Sequence, residues 1–206
     1  MTEVIRRYGV SDEHVLAAMT AVRRDRFFPN AGVSAEIAYG DHPVPIGWGQ
    51  AISQPYIVAY MTERLALRPG ERVLEIGAGS GYQAAVLAAC GAAVFTLERV
   101  PALAEHAARV LAAEGWENVR VRCADGFDGW AEEAPFDAII GTCAPATVPK
   151  ALCAQLAVGG RMILPVGEES QRLVIVRRRE SGCDEIDDLP VRFVPMVRGQ
   201  ADSRAT

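Results

Sequence analysis

The run Val73-Leu74-Glu75-Ile76-Gly77-Ala78-Gly79-Ser80-Gly81 constrains the fold more than any other feature of the chain. It is a short apolar strand, then a glycine-rich turn, then a helical pattern from about residue 83 to 89. Glycines at such a turn let the backbone approach a ligand closely and offer it amide groups. In an α/β sheet this crevice at the strand ends is the natural seat of a nucleotide-type cofactor. The dinucleotide fingerprint G-x-G-x-x-G does not fit. Counted from Gly77 its last position is Tyr82, and counted from Gly79 it is Ala84. The spacing is E-x-G-x-G-x-G. Glu98 ends the next strand pattern, where a carboxylate can accept from two ribose hydroxyls. Asp125 ends the one after, followed by Gly126, where a carboxylate can accept from the exocyclic amine of an adenine.

Strand and helix patterns alternate from residue 71 onward. Strands are expected at 72–77, 93–98, 119–125, 136–142, 161–166, 172–178 and 189–197, with helices at 83–89, 102–114 and 148–156 between them. This alternation predicts an α/β fold, a Rossmann-like, doubly wound, seven-stranded mixed sheet with helices on both faces. Upstream, 11–24 reads as a helix capped by Ser11, and 56–67 as a second helix. Residues 30–55, rich in Gly and Pro with little period, read as a long ordered loop or lid. The chain is expected to be one domain over 1–206, with 1–65 as an N-terminal helical and loop cap and 66–206 as the cofactor-binding core.

The 206 residues suffice to bury a substantial core, and 50% are hydrophobic. A net charge of −5 leaves no general basic surface for nucleic acid. The first ten residues lack the apolar core of a signal peptide, and no apolar run is long enough to span a bilayer. A cytoplasmic monomer without membrane or nucleic-acid partners is the expectation. Five cysteines, at 90, 123, 143, 153 and 183, form no CxxC pair and do not cluster with the three histidines. That excludes the usual metal-site spacings, so no metal is expected, and the cysteines read as reduced, mostly core residues.

The segment Gly49-Gln50-Ala51-Ile52-Ser53-Gln54-Pro55, directly before a helical pattern, admits two readings. Ser53 is a turn serine bonded to its own backbone, or it is held out toward a substrate.

With the glycine turn, the acid after the second strand and Asp-Gly after the third, the chain resembles class I methyltransferases that use S-adenosylmethionine. More specifically, it resembles the bacterial-type protein-L-isoaspartate O-methyltransferases. The matching segments are RDRFFP (24–29), PIGWGQAISQPYIVAYMTERL (45–65), RVLEIGAGSGYQAAVLA (72–88), LER (97–99), ADGFDGW (124–130), APFDAII (134–140), QLAVGGRMILPVG (155–167) and VRFVPMVRG (191–199). The resemblance implies methyl esterification of isoaspartyl residues in damaged proteins and peptides, the first step of their repair through a succinimide. It implies that Ser53 has the active-site role, with Ala51, Ile52 and Val166 beside it at the substrate. It implies that Gly77, Ala78 and Gly79, with Glu75 near them, meet the amino acid part of the cofactor. Glu98 would hold the ribose, Asp125 and Gly126 the adenine, and Thr142 would border the cleft. Ala51 departs from the family, which usually has threonine there, and Cys143 stands where alanine is common.

Three rivals remain on sequence alone. One is a relative that tailors aspartate in natural-product peptides. Such relatives carry an extra C-terminal region, and the short tail after VRFVPMVRG favours repair. The others are a non-catalytic, methyltransferase-like binding module and an NAD-dependent dehydrogenase.

Overall fold

In the computed structural model, residues 1–29 and 32–199 are described. Residues 30 and 31 of the expected loop and 200–206 of the expected core lie outside the described residues. The elements in chain order are α1 (Thr2–Arg7), α2 (Glu13–Ala21), α3 (Ala35–Tyr39), β1 (Val44–Gly47), β2 (Gln50–Ile52) and α4 (Pro55–Leu65). There follow β3 (Arg72–Ile76), α5 (Tyr82–Ala89), β4 (Ala93–Glu98), α6 (Pro101–Ala113), β5 (Val119–Cys123) and β6 (Phe136–Gly141). The last are α7 (Lys150–Gln155), β7 (Leu156–Val166), β8 (Gln171–Arg179) and β9 (Gly182–Val191).

Seven strands form one sheet in the order β5-β4-β3-β6-β7-β8-β9. The first five in that order run parallel, while β8 and β9 return antiparallel. The chain lays β4 and β5 on one side of β3, then crosses to lay β6 and β7 on the other. Strand order therefore reverses at β3, and the crevice at that switch point opens beside Gly77. The alternation of β3 explains the two-sided core. Val73 packs on one face with side chains of α2, α4, α5 and α6. Leu74 and Ile76 pack on the other with Phe95, Leu97, Leu152 and Met162.

Several boundaries differ from the sequence pattern. α2 is capped by Asp12, not Ser11: Asp12 Oδ1 accepts from the amides of His14 and Val15. Ser11 is drawn away because its own amide, like that of Asp12, donates to Glu63 Oε1 at 2.7 Å. The expected structureless loop holds α3 and a hairpin of β1 and β2. Trp48 and Gly49 turn that hairpin with φ of 52° and 68°, the left-handed pair that a two-residue turn requires. The last strand is 182–191 rather than 189–197. Gly182 to Asp188 carry four acidic residues and no apolar alternation, so they read as loop. Backbone pairing to β8 makes them an edge strand all the same. Residues 192–197 leave the sheet.

The cysteines need a second correction. Cys153 of α7 and Cys183 of β9 are joined, with the sulfurs 2.18 Å apart. They are 30 positions apart in sequence, and only the antiparallel return of β8 and β9 brings them together. Cys90 and Cys143 are free thiols. Among the described residues no helix is long and apolar enough to cross a membrane, and no group of three or more His, Cys, Asp or Glu could hold a metal ion.

Candidate active site

A cavity of about 260 Å³ lies at the switch point. Its floor is the glycine turn. Gly77 takes a φ of 95°, and a methyl group there would collide with Thr142 Oγ1. Thr142, just past β6, puts that hydroxyl 2.6 Å from Gly77 O and 3.1 Å from Ile76 O, while its amide donates to Ile76 O at 2.9 Å. Thr142 thus lines the cavity and also locks the turn. Ala78 and Gly79 line the floor beside it.

Glu98, at the end of β4, is buried on the cavity wall. Its Oε2 accepts from the Gly79 amide at 2.8 Å and its Oε1 from the Val100 amide at 2.9 Å. Burial raises its pKa, against the opposing pull of those amides. Each oxygen keeps a further lone pair, so the carboxylate fits a ribose diol that donates two hydrogen bonds.

Not every expected cofactor residue reaches the cavity. Glu75 is fully buried within the sheet and does not line it. Thr96 Oγ1 donates to Glu75 Oε2 at 2.5 Å, and Oε1 has no partner among the described residues. Burial pushes the carboxyl up to about 8, so it is protonated at neutral pH. The sign of the linkage follows. Between about 4.5 and 8 the folded chain keeps a proton that the unfolded chain has lost, so stability falls as pH rises through that window. Glu75→Gln is expected to flatten the curve. Denaturant unfolding between pH 5 and 7 should show the wild type losing on the order of 1 kcal/mol per pH unit, and the variant much less. Parallel curves would show that Glu75 is ionised in the fold.

Asp125 is also turned aside. Its Oδ1 accepts from the Phe127 amide and its Oδ2 from the Gly199 amide, at 2.8 and 2.7 Å. The wall there is made by Ala124 and Gly126. Gly126 has no room for a Cβ, which would meet Ile76 Cγ2 and, at 3.2 Å, Met196 Cε. The carboxylate therefore shapes this end of the cavity by tying 126–128 to the backbone at Gly199.

Ser53 stands where the cavity meets a second, open groove. Ala51, Ser53, Ile57 and Thr142 line both spaces. The Ser53 hydroxyl has no hydrogen-bond partner among the described residues, which removes the self-bonded turn reading. Pro55 sits at the first position of α4, where its missing N–H costs nothing. Asp41 supplies the other anchor, accepting from the Tyr56 amide at 2.8 Å and from Gln54 Nε2 at 3.4 Å. Ile52 lines the cavity only, and Val166 lines neither space. Of the three aromatic residues near the motifs, Tyr82 lines the cavity, whereas Trp48 and Tyr56 do not. Cys143 is on the wall, and burial pushes its thiol up to about 12, so it is no nucleophile at neutral pH.

Two contributors had no local signal in the sequence. Asp41 acts across 15 positions on Tyr56. Residues 193–197 wall the cavity because Ala144 pairs with them: its amide donates to Val194 O and its carbonyl accepts from the Met196 amide.

The profile of the protein-L-isoaspartate(D-aspartate) O-methyltransferase family matches residues 1–201. A protein-L-isoaspartate O-methyltransferase of Gloeobacter violaceus is 52% identical over 95% of this chain and 96% of its own. One of Methylorubrum populi is 54% identical over 96% and 92%. A solved protein-L-isoaspartate O-methyltransferase, 30% identical, superposes with a TM-score of 0.87 over 94% of this chain, which spans 64% of that longer one. A structure from Plasmodium falciparum assigned to the same activity, in complex with S-adenosyl-L-homocysteine, gives 0.84 at 27% identity over 95% and 96%. The chain belongs to the protein-L-isoaspartate(D-aspartate) O-methyltransferase family.

Proposed function

We propose that the protein transfers a methyl group from S-adenosylmethionine to the free α-carboxylate of L-isoaspartyl residues in damaged proteins and peptides. The ester then closes to a succinimide, which begins repair. One observation carries the reading: a cavity with a buried ribose-type acceptor, Glu98, meets a second, open groove at an unpartnered serine. The cofactor supplies a methyl group already activated on a sulfonium.

The remaining work falls to this chain. The substrate carboxylate has a pKa of about 3.5 and is ionised at pH 7, so no general base is required. In keeping with this, His14, His42 and His106 do not line the cavity or the groove. Ser53 Oγ donates to one carboxylate oxygen and aims the other at the methyl. Ala51 and Ile52 flank it. Gly77, Ala78 and Gly79 hold the amino acid part of the cofactor, Glu98 the ribose, and Gly126 the adenine face, while Thr142 locks the glycine turn and Asp125 ties residues 126–128 in place. Cation and anion neutralise each other as the ester forms, so exclusion of water from the reacting pair favours the reaction. In-line alignment of carboxylate oxygen, methyl and sulfur provides the rest. The reading places residues 1–65 as a cap on the 66–206 core, in a cytoplasmic monomer that acts on proteins and not on nucleic acid.

The test is methyl transfer from labelled S-adenosylmethionine to two matched peptides, one isoaspartyl and one aspartyl at the same position. Labelling of the isoaspartyl peptide alone is expected. Labelling of the aspartyl peptide would mark a tailoring enzyme, and labelling of neither, with cofactor bound, a binding module.

A further inference from the structure

The groove beyond Ser53 is lined by Pro43, Gln54, Ile57, Pro190 and Val191 among others, and Arg192 is the one charged side chain among its described lining residues. Arg192 is exposed and makes no ion pair or hydrogen bond with the described residues. Neighbouring carboxylates are already engaged. Asp41 holds Gln54 and the Tyr56 amide. Asp187 pairs with Arg172, and Asp188 pairs with Arg64 and the Tyr60 hydroxyl.

The backbone that carries Arg192 is fixed on its C-terminal side by two anchors. Gln171 accepts from the Phe193 amide at 2.6 Å and donates from Nε2 to Phe193 O at 3.1 Å. Ala144 holds Val194 and Met196 at 2.8 and 2.7 Å. The cation therefore has a held base and a free tip over an otherwise uncharged groove. A guanidinium in that position matches a carboxylate with two parallel donors.

We propose that Arg192 is a specificity residue that favours isoaspartyl peptides bearing an acidic side chain close to the isoaspartyl position. This rests on the functional reading above. The pair forms at an exposed site, so the preference is modest, about threefold in KM, and fades in concentrated salt.

The test uses short isoaspartyl peptides with Glu or Gln placed two residues before or two residues after the isoaspartyl. The readout is the ratio of KM for the Gln peptide to KM for its Glu partner. A general loss of activity cancels in that ratio. In the wild type, one of the two flanks should give a ratio of about three. The ratio should fall to about one in Arg192→Ala and below one in Arg192→Glu. A wild-type ratio of one at both flanks, or a preference that Arg192→Ala retains, overturns the proposal. Methylation of the Gln peptides is the control on the functional reading. If no isoaspartyl peptide is methylated, that reading falls and this one with it. If the Gln peptides are methylated without a Glu preference, only the role of Arg192 falls.

Discussion

Glu98→Ala raises the dissociation constant for S-adenosylmethionine by about 1,000-fold. The carboxylate would accept from two ribose hydroxyls, and a hydrogen bond to a charged group contributes about 2 kcal/mol, so losing two gives about 4 kcal/mol. The substitution also leaves the amides of Gly79 and Val100 without their acceptor, which loosens the turn on which the cofactor rests. Glu98→Gln separates the two effects. It keeps one oxygen and most of the shape, and it should weaken binding by about 30-fold with the fold intact. Titration calorimetry measures both. Wild-type affinity in Glu98→Gln would mean that the ribose is held elsewhere.

Ser53→Ala lowers kcat on an isoaspartyl peptide by about 100-fold, the usual cost of losing one positioned donor at a reacting oxygen. Cofactor affinity should be nearly unchanged, because the hydroxyl faces the junction with the groove and bonds nothing in the protein. Folding should be unaffected for the same reason. Single-turnover labelling with saturating cofactor, beside calorimetry, reads the two quantities independently. Parallel losses of turnover and cofactor affinity would make Ser53 part of the cofactor wall instead. Asp125→Ala has the opposite signature. Releasing the amides of Phe127 and Gly199 loosens the adenine end, so cofactor binding weakens first.

Much of this site was legible because its signals are local. Val73 to Gly81 announces a strand and a turn with left-handed glycines, directly ahead of a helix. Glu98 sits at a strand end that the apolar pattern of residues 93–97 marks clearly, and its carboxylate reaches the cavity. Glu75 misled, since pattern places it beside the turn but cannot tell which face of β3 it occupies. It points between strands, toward Thr96. Asp125 misled for a different reason. Its Oδ2 accepts from Gly199, 74 positions away, so nothing nearby shows that its side chain is tied off the cavity wall.

Local residue pattern alone sets the strand–helix alternation, the glycine turn, the acid on β4 and the segment that carries Ser53. Each of these rests on backbone conformation or side-chain periodicity within a few residues, which neighbouring residues dictate. Long-range packing makes β9 an acidic edge strand, brings Cys153 to Cys183, and lets Asp41 steady the start of α4. It also takes residues 192–197 out of the sheet, so that 193–197 wall the cavity and Arg192 lines the groove. These depend on contacts between segments far apart in the chain, whose energies come from ladder pairing and burial that no short stretch of sequence contains.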